Sequence, residues 1–165
     1  MANFTAETFT KHDDYMTPKS AWEDIKHLIP KDRVIWECFY GDGKSGEYLR
    51  ELGFQVIHEP IDFFTENRGE LVCSNPPFSA CAGVCQRLKQ LDKPFILIMP
   101  SSKMNTQYFQ NVFRGDAELQ IIITRKRIQF TKLVDGKPTK SKTSCNFDCF
   151  YYCYKIGLPN SITWL

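Results

Sequence analysis

At 165 residues, with 42% hydrophobic, 14% aromatic and 24% charged side chains, the chain has the make-up of a globular domain, which excludes disordered, collagenous and coiled-coil classes. Domains cluster around roughly 100–150 residues, so one domain over 1–165 is expected, with no room for a separate target-recognition domain. The net charge is only +2, but between Arg125 and Lys142 seven bases, Arg125, Lys126, Arg127, Lys132, Lys137, Lys140 and Lys142, face Asp135 alone, so +6 sits in one segment against −4 elsewhere.

No stretch approaches the roughly 18 apolar residues that cross a bilayer, and Met1–Thr10 lacks the apolar segment of a secretory leader. A soluble, intracellular protein of cytoplasm or nucleus, without a membrane partner, is therefore expected. Seven cysteines, an odd number, argue for reduced thiols rather than a disulfide framework.

Along the chain, Thr17-Pro18 suits a helix start, with Thr capping and Pro in the first turn, and Ala21, Trp22, Ile25, Leu28 and Ile29 recur at helical spacing before Pro30. Val34–Cys38 reads as a buried strand running into the turn Gly41-Asp42-Gly43, then a helix ending at Gly53. Strands are expected at Phe54–Glu59, Glu70–Ser74 and Phe95–Met99. Ala80, Val84, Cys85, Leu88 and Leu91 mark a helix, and Thr106–Phe113 another. Leu119–Thr124, Arg127–Leu133 and Phe147–Tyr154 complete the strands, the last two joined by the basic connection. The predicted class is α/β: a mostly parallel sheet with helices on both faces and an antiparallel closing hairpin.

In such sheets ligands bind beyond the carboxyl ends of the strands. Three loops fall there. The first, Glu37-Cys38-Phe39-Tyr40-Gly41-Asp42-Gly43, lacks the third glycine of a dinucleotide fingerprint, and Gly41 lies too close to Gly43-Lys44-Ser45 for a Walker loop. An acid at the strand end would repel phosphate but welcome a cationic amino group. In the second loop Glu59 could accept from a ribose diol, and Asp62 from an adenine amino group, with Phe63 or Phe64 against the ring.

The third, Ser74-Asn75-Pro76-Pro77-Phe78, says most. Successive prolines stiffen the backbone and remove two N–H donors, leaving the Asn75 side-chain carbonyl, neighbouring main-chain carbonyls and the flat face of Phe78. That set suits a planar base with an exocyclic amine: the acceptors take its two N–H groups while the ring stacks. Holding both hydrogens favours a pyramidal nitrogen whose lone pair faces an electrophile.

Asn75-Pro76-Pro77-Phe78, with the upstream Glu37-to-Gly43 loop, resembles the class I S-adenosylmethionine-dependent amino-methyltransferases, above all those acting on adenine N6 in nucleic acid. The likeness runs from about Tyr15 to Tyr154. It implies a Rossmann-like fold of seven strands with the last antiparallel, and S-adenosyl-L-methionine as cofactor. It further implies that Tyr15 and Thr17 lie near the methionine end of the cofactor. Glu37, Phe39, Gly41 and Gly43 would hold that end, Glu59 the ribose, and Asp62 with Phe63 the adenine. Asn75, Pro76 and Pro77 would grip the target amine and Phe78 would stack on the flipped base. In the family a proline usually follows the first acid, where this chain has Cys38. The expected partner is DNA, in preference to RNA, with a single-stranded or flipped adenine. With no recognition domain, specificity would come from the Arg125–Lys142 segment, a second copy or a partner subunit. Guanine N2 in RNA, a protein glutamine amide, or an idle subunit are the alternative readings.

Metal is not expected. Cys149 and Cys153 in a strand would stand roughly 13 Å apart, too far for one ion, and His12, His27 and His58 show no ligand spacing. An aromatic contact from Phe147–Tyr152 to the target pocket is left open.

Overall fold

A computed structural model describes residues 15–139 and 147–165. Its elements in chain order are β1 (Tyr15–Met16), α1 (Lys19–Glu23), β2 (Ile35–Trp36), α2 (Lys44–Glu51), β3 (Val56–Ile57), β4 (Leu71–Ser74), α3 (Cys81–Gln90), β5 (Phe95–Pro100), α4 (Gln107–Phe113), β6 (Leu119–Ile123), β7 (Thr131–Val134), β8 (Lys137–Pro138), β9 (Cys149–Tyr154) and β10 (Ile162–Trp164). Seven strands form one sheet in the order β10-β6-β9-β5-β4-β2-β3. All are parallel except β9, which runs antiparallel between β5 and β6.

Alternation along the strands divides the core in two. Ile35, Leu71, Cys73, Ile96, Ile98, Tyr151 and Cys153 meet Trp22 and Ile25 of the α1 region and Leu49 of α2 on one face. Trp36, Val72, Phe95, Leu97, Met99, Tyr152 and Tyr154 meet Val84, Cys85 and Leu88 of α3 and Phe109 and Phe113 of α4 on the other. Every residue of β5 is buried, as a central strand with helices on both faces requires. Two of the three buried tyrosines of β9 are satisfied by carbonyls: Tyr151 Oη donates to Ala21 O at 2.6 Å and Tyr152 Oη to Pro100 O at 2.7 Å. The sulfur positions follow the same rule. Cys149 and Cys153 lie on one face of β9, and all six described cysteines are buried; Cys145 lies outside the described residues.

The structure corrects the expected closing hairpin. Arg127–Leu133 does not pair with Phe147–Tyr154. The strand there, β7, pairs with β1 and β8 in a small separate antiparallel sheet, while β9 takes β5 and β6 as neighbours. Nor is the antiparallel strand the last: β10, not foreseen, adds parallel to β6 at the sheet's edge, Ile162 opposite Ile121 and Trp164 opposite Ile123. The first helix is also shorter than expected. It begins at Lys19, with Pro18 as its cap residue and no side-chain cap from Thr17, and gives way to a 3-10 turn at Lys26–Leu28. No described helix is long and apolar enough to cross a membrane.

Candidate binding cleft at the carboxyl edge of the sheet

From β2 the chain moves outward through α2 to β3, then returns to the other side of β2 as β4. The direction of winding reverses between β2 and β4, and their loops part at that point to leave a cleft. Its lining is Tyr15, Met16, Thr17, Glu37, Phe39, Tyr40, Gly41, Asp42, Ser45 and Asn75–Phe78.

Glu37 follows β2 directly and is 1% exposed. Three donors meet its carboxylate. Ser45 Oγ donates to Oε2 at 2.6 Å, Ser74 Oγ makes a short bond to Oε1, and Phe39 N reaches Oε1 at 3.3 Å. Ser45 is itself held by Trp22 Nε1 at 3.0 Å, and Ser74 closes β4, so the two hydroxyls couple the acid to both flanking elements. Burial pushes the Glu37 carboxyl above its usual range, against the opposing pull of His58 and the two serines. No described lysine or arginine hydrogen-bonds it. A carboxylate has about four lone-pair positions, so one acceptor position is left over in a desolvated site that favours a cation.

The turn after Glu37 depends on glycine at two places. Gly41 (φ 58°) and Gly43 (φ 81°) are left-handed, and Asp42 Oδ1 accepts from Lys44 N at 3.1 Å as α2 begins. Beneath the turn, His58 Nδ1 donates to the Glu37 carbonyl at 2.8 Å and stacks on Tyr40, centroids 4.9 Å apart. A carbonyl can only accept, so Nδ1 carries the proton.

Opposite, Asn75 Nδ2 donates to Tyr15 O at 3.3 Å, which fixes the amide's orientation because that carbonyl needs a donor. Its Oδ1 is thereby left as acceptor; it is buried and has no hydrogen-bond partner among the described residues. The Pro77 carbonyl is spent on Ala80 N at 2.8 Å, whereas no described backbone N–H reaches the Pro76 carbonyl. Phe78 belongs to a group of rings at the cleft mouth: Phe147 lies edge-on at 5.0 Å and Phe130 at 6.4 Å, and Tyr15 meets Phe147 at 5.4 Å. The contact left open for Phe147 thus falls beside Phe78.

The structure brings together Tyr15, Thr17, Glu37, Phe39, Gly41, Asn75, Pro76, Pro77 and Phe78 at one cleft. Gly43 supports it as the residue that caps the start of α2. Three expected residues stand apart. Glu59 is exposed and does not line the cleft. Asp62 uses Oδ1 to accept from Phe64 N at 2.9 Å in a local turn. Phe63 was expected against a ligand's ring, but it is 2% exposed and packed between Trp36 and Phe39, at 5.6 and 5.2 Å; its neighbour Phe64 is only half-buried. The sequence pattern gives no site role to Ser45, Ser74 or Tyr40, since isolated serines and a lone tyrosine carry no spacing that marks them.

The described bases of the basic segment point to different partners. Arg125 Nε donates to Leu165 O at 2.9 Å and Arg127 Nε pairs with Asp148 Oδ1 at 2.7 Å. Lys132 Nζ stands 5.8 Å over the Tyr15 ring, at the cleft mouth, whereas Lys126 and Lys137 are exposed. Lys140 and Lys142 lie outside the described residues. Among the described residues no three His, Cys, Asp or Glu side chains are grouped to hold a metal ion. No family model matches the chain, and no curated protein or solved structure matches it either.

Proposed function

We propose that the chain transfers a methyl group from S-adenosyl-L-methionine to the exocyclic N6 amine of adenine in nucleic acid, with DNA favoured over RNA. The observation that carries this reading is the Asn75 carbonyl oxygen, buried and without a partner among the described residues, in a cleft whose opposite wall is the buried acid Glu37. An orphaned buried acceptor costs about 1–3 kcal/mol, and a ligand N–H in the cleft recovers it. The pairing of acid and acceptor fits a substrate with a cationic amino group on one side and a planar amine on the other. The sheet of six parallel strands and one antiparallel strand is compatible with the Rossmann-like architecture that the resemblance implies.

Glu37 would hold the amino group of the cofactor, with the Gly41 and Gly43 turn closing over its methionine end; the cofactor, when bound, supplies an electrophilic methyl carbon on a sulfonium. Asn75 Oδ1 and the Pro76 carbonyl accept the two amine hydrogens, which leaves the nitrogen lone pair as the only free direction of attack. As the N–C bond forms and the S–C bond breaks, positive charge grows on the amine, and the two carbonyl dipoles stabilise it where it appears. Neutral Asn75 cannot serve as a strong base, so the surplus proton leaves to water after transfer. Phe78 and the edge-on rings of Phe130 and Phe147 give the base an apolar surface once it leaves its stack. The rate gain comes from orientation and electrostatics.

The test is transfer of labelled methyl to matched DNA and RNA strands that carry or lack a single adenine. Label confined to adenine-bearing strands is expected. Equal label in adenine-free strands assigns the site to another planar amine, and none in either overturns the reading.

A further inference from the structure

Because β2, β4, β5, β6 and β10 are parallel, their carboxyl ends share the edge that bears the cleft. At its far end Trp164 closes β10 beside the end of β6. It is 73% exposed, the most exposed large apolar side chain among the described residues. It borders an open hollow with Asp24, His27, Arg125, Lys126 and Leu165. From that hollow the chain leaving β6 follows the edge back toward the cleft. Arg127 is tied to Asp148 just before β9, and Phe130 reaches Phe78, centroids 6.4 Å apart. Arg125 is held by Leu165 O at 2.9 Å and Lys126 is exposed, so the hollow joins a bare indole to guanidinium and ammonium groups. Apolar ring plus cations is the chemistry that holds an unpaired base and its phosphate.

We infer that the Trp164 hollow is a second contact for a single-stranded nucleic acid: it stacks a flanking base of the strand whose target base occupies the cleft. The inference rests on the proposed function for the cleft end of that strand. Four strand spacings separate β4 from β10, roughly 19 Å at about 4.8 Å each, a span of about five to six nucleotides at ~3.4 Å per step. Arg125 and Lys126 stand in the hollow itself, where the phosphates flanking the stacked base would lie. This gives part of the basic segment a defined role.

The chain itself provides the probe. Of its three tryptophans, Trp22 and Trp36 are fully buried, so iodide quenching of native fluorescence reads Trp164. The measurement is iodide quenching with and without a single strand of about twelve nucleotides, twice the span, as DNA and as RNA, together with its affinity for wild type, Trp164→Ala and Trp164→Phe. The strand should shield Trp164. Trp164→Ala should weaken binding about tenfold (about 1.4 kcal/mol), and Trp164→Phe should stay within threefold of wild type. A trinucleotide, too short to reach the hollow, should bind all three alike. The RNA and DNA arms identify which strand is preferred. Unchanged quenching with Trp164→Ala binding within twofold of wild type overturns the inference. So does a wild-type dimer that Trp164→Ala dissolves without altering strand affinity, since β10's edge would then serve a second copy. None of these arms needs methyl transfer. A chain that shields Trp164 but moves no methyl group refutes the proposed function and keeps the strand path, whereas transfer without shielding does the reverse.

Discussion

Replacing Glu37 by Gln separates the charge of the buried acid from its shape. Three of the carboxylate's acceptor positions are used by Ser45, Ser74 and Phe39 N, and the fourth is the one assigned to the ammonium group of the cofactor. A hydrogen bond between charged partners contributes about 1.5–3 kcal/mol, and a residue 1% exposed belongs at the upper end. Glu37→Gln should therefore bind S-adenosylmethionine roughly 10- to 150-fold more weakly in isothermal titration. The free protein should move the opposite way. Burial raises the folded-state pKa of Glu37, so its contribution to stability is fully present below the unfolded pKa, where the acid is neutral in both states. That contribution is lost as pH rises through the folded value, because the folded protein then holds a desolvated charge. Glutamine has no such loss, and the stability of Glu37→Gln relative to wild type should climb with pH across that window in urea titrations. Saturating cofactor should reverse the order at neutral pH: at a hundred times its Kd a ligand adds about 2.7 kcal/mol, and the variant forfeits most of that. An affinity within threefold of wild type, or a stability difference flat with pH, would refute the assignment of Glu37 as a buried acid facing an amine.

Two further substitutions probe the two walls. A Cβ on Gly46 would come within 2.3 Å of the His58 ring. Gly46→Ala should therefore cost about 2 kcal/mol, a typical overpacking penalty, and because the His58 Cβ itself crowds that position, the double variant with His58→Gly, which removes both ring and Cβ, should recover at least half; no loss in Gly46→Ala would contradict the packing described. Asn75→Ala should abolish methyl transfer while cofactor affinity stays within about tenfold (about 1.4 kcal/mol), and wild-type turnover by that variant would remove Asn75 from its role.

What could be read before the fold was known was what local chemistry dictates. Two prolines after Asn75 restrict the backbone whatever surrounds it, so the acceptor-rich corner after β4 was legible, as was the acid ending β2. Pairing across the sheet was not. The run Ile162-Thr163-Trp164 is too short and too close to Pro159-Asn160 to announce a strand, and it exists because β6 offers it an unpaired edge. Arg127–Leu133 carried strand-like residues, yet its partner turned out to be Tyr15–Met16, more than a hundred positions away. At Phe63 and Phe64 a single step of register decides which ring is core and which is half-buried. Ser45 and Ser74 are joined only by the carboxylate between them.

The most direct measurement is the identity of the methylated product. Strands labelled by wild type and digested to nucleosides should yield N6-methyladenine, with more from DNA than from RNA and none from Asn75→Ala. Label found only as N2-methylguanosine, or an equal yield of N6-methyladenine from the variant, would contradict the claim that the Asn75 oxygen holds an adenine amine for attack.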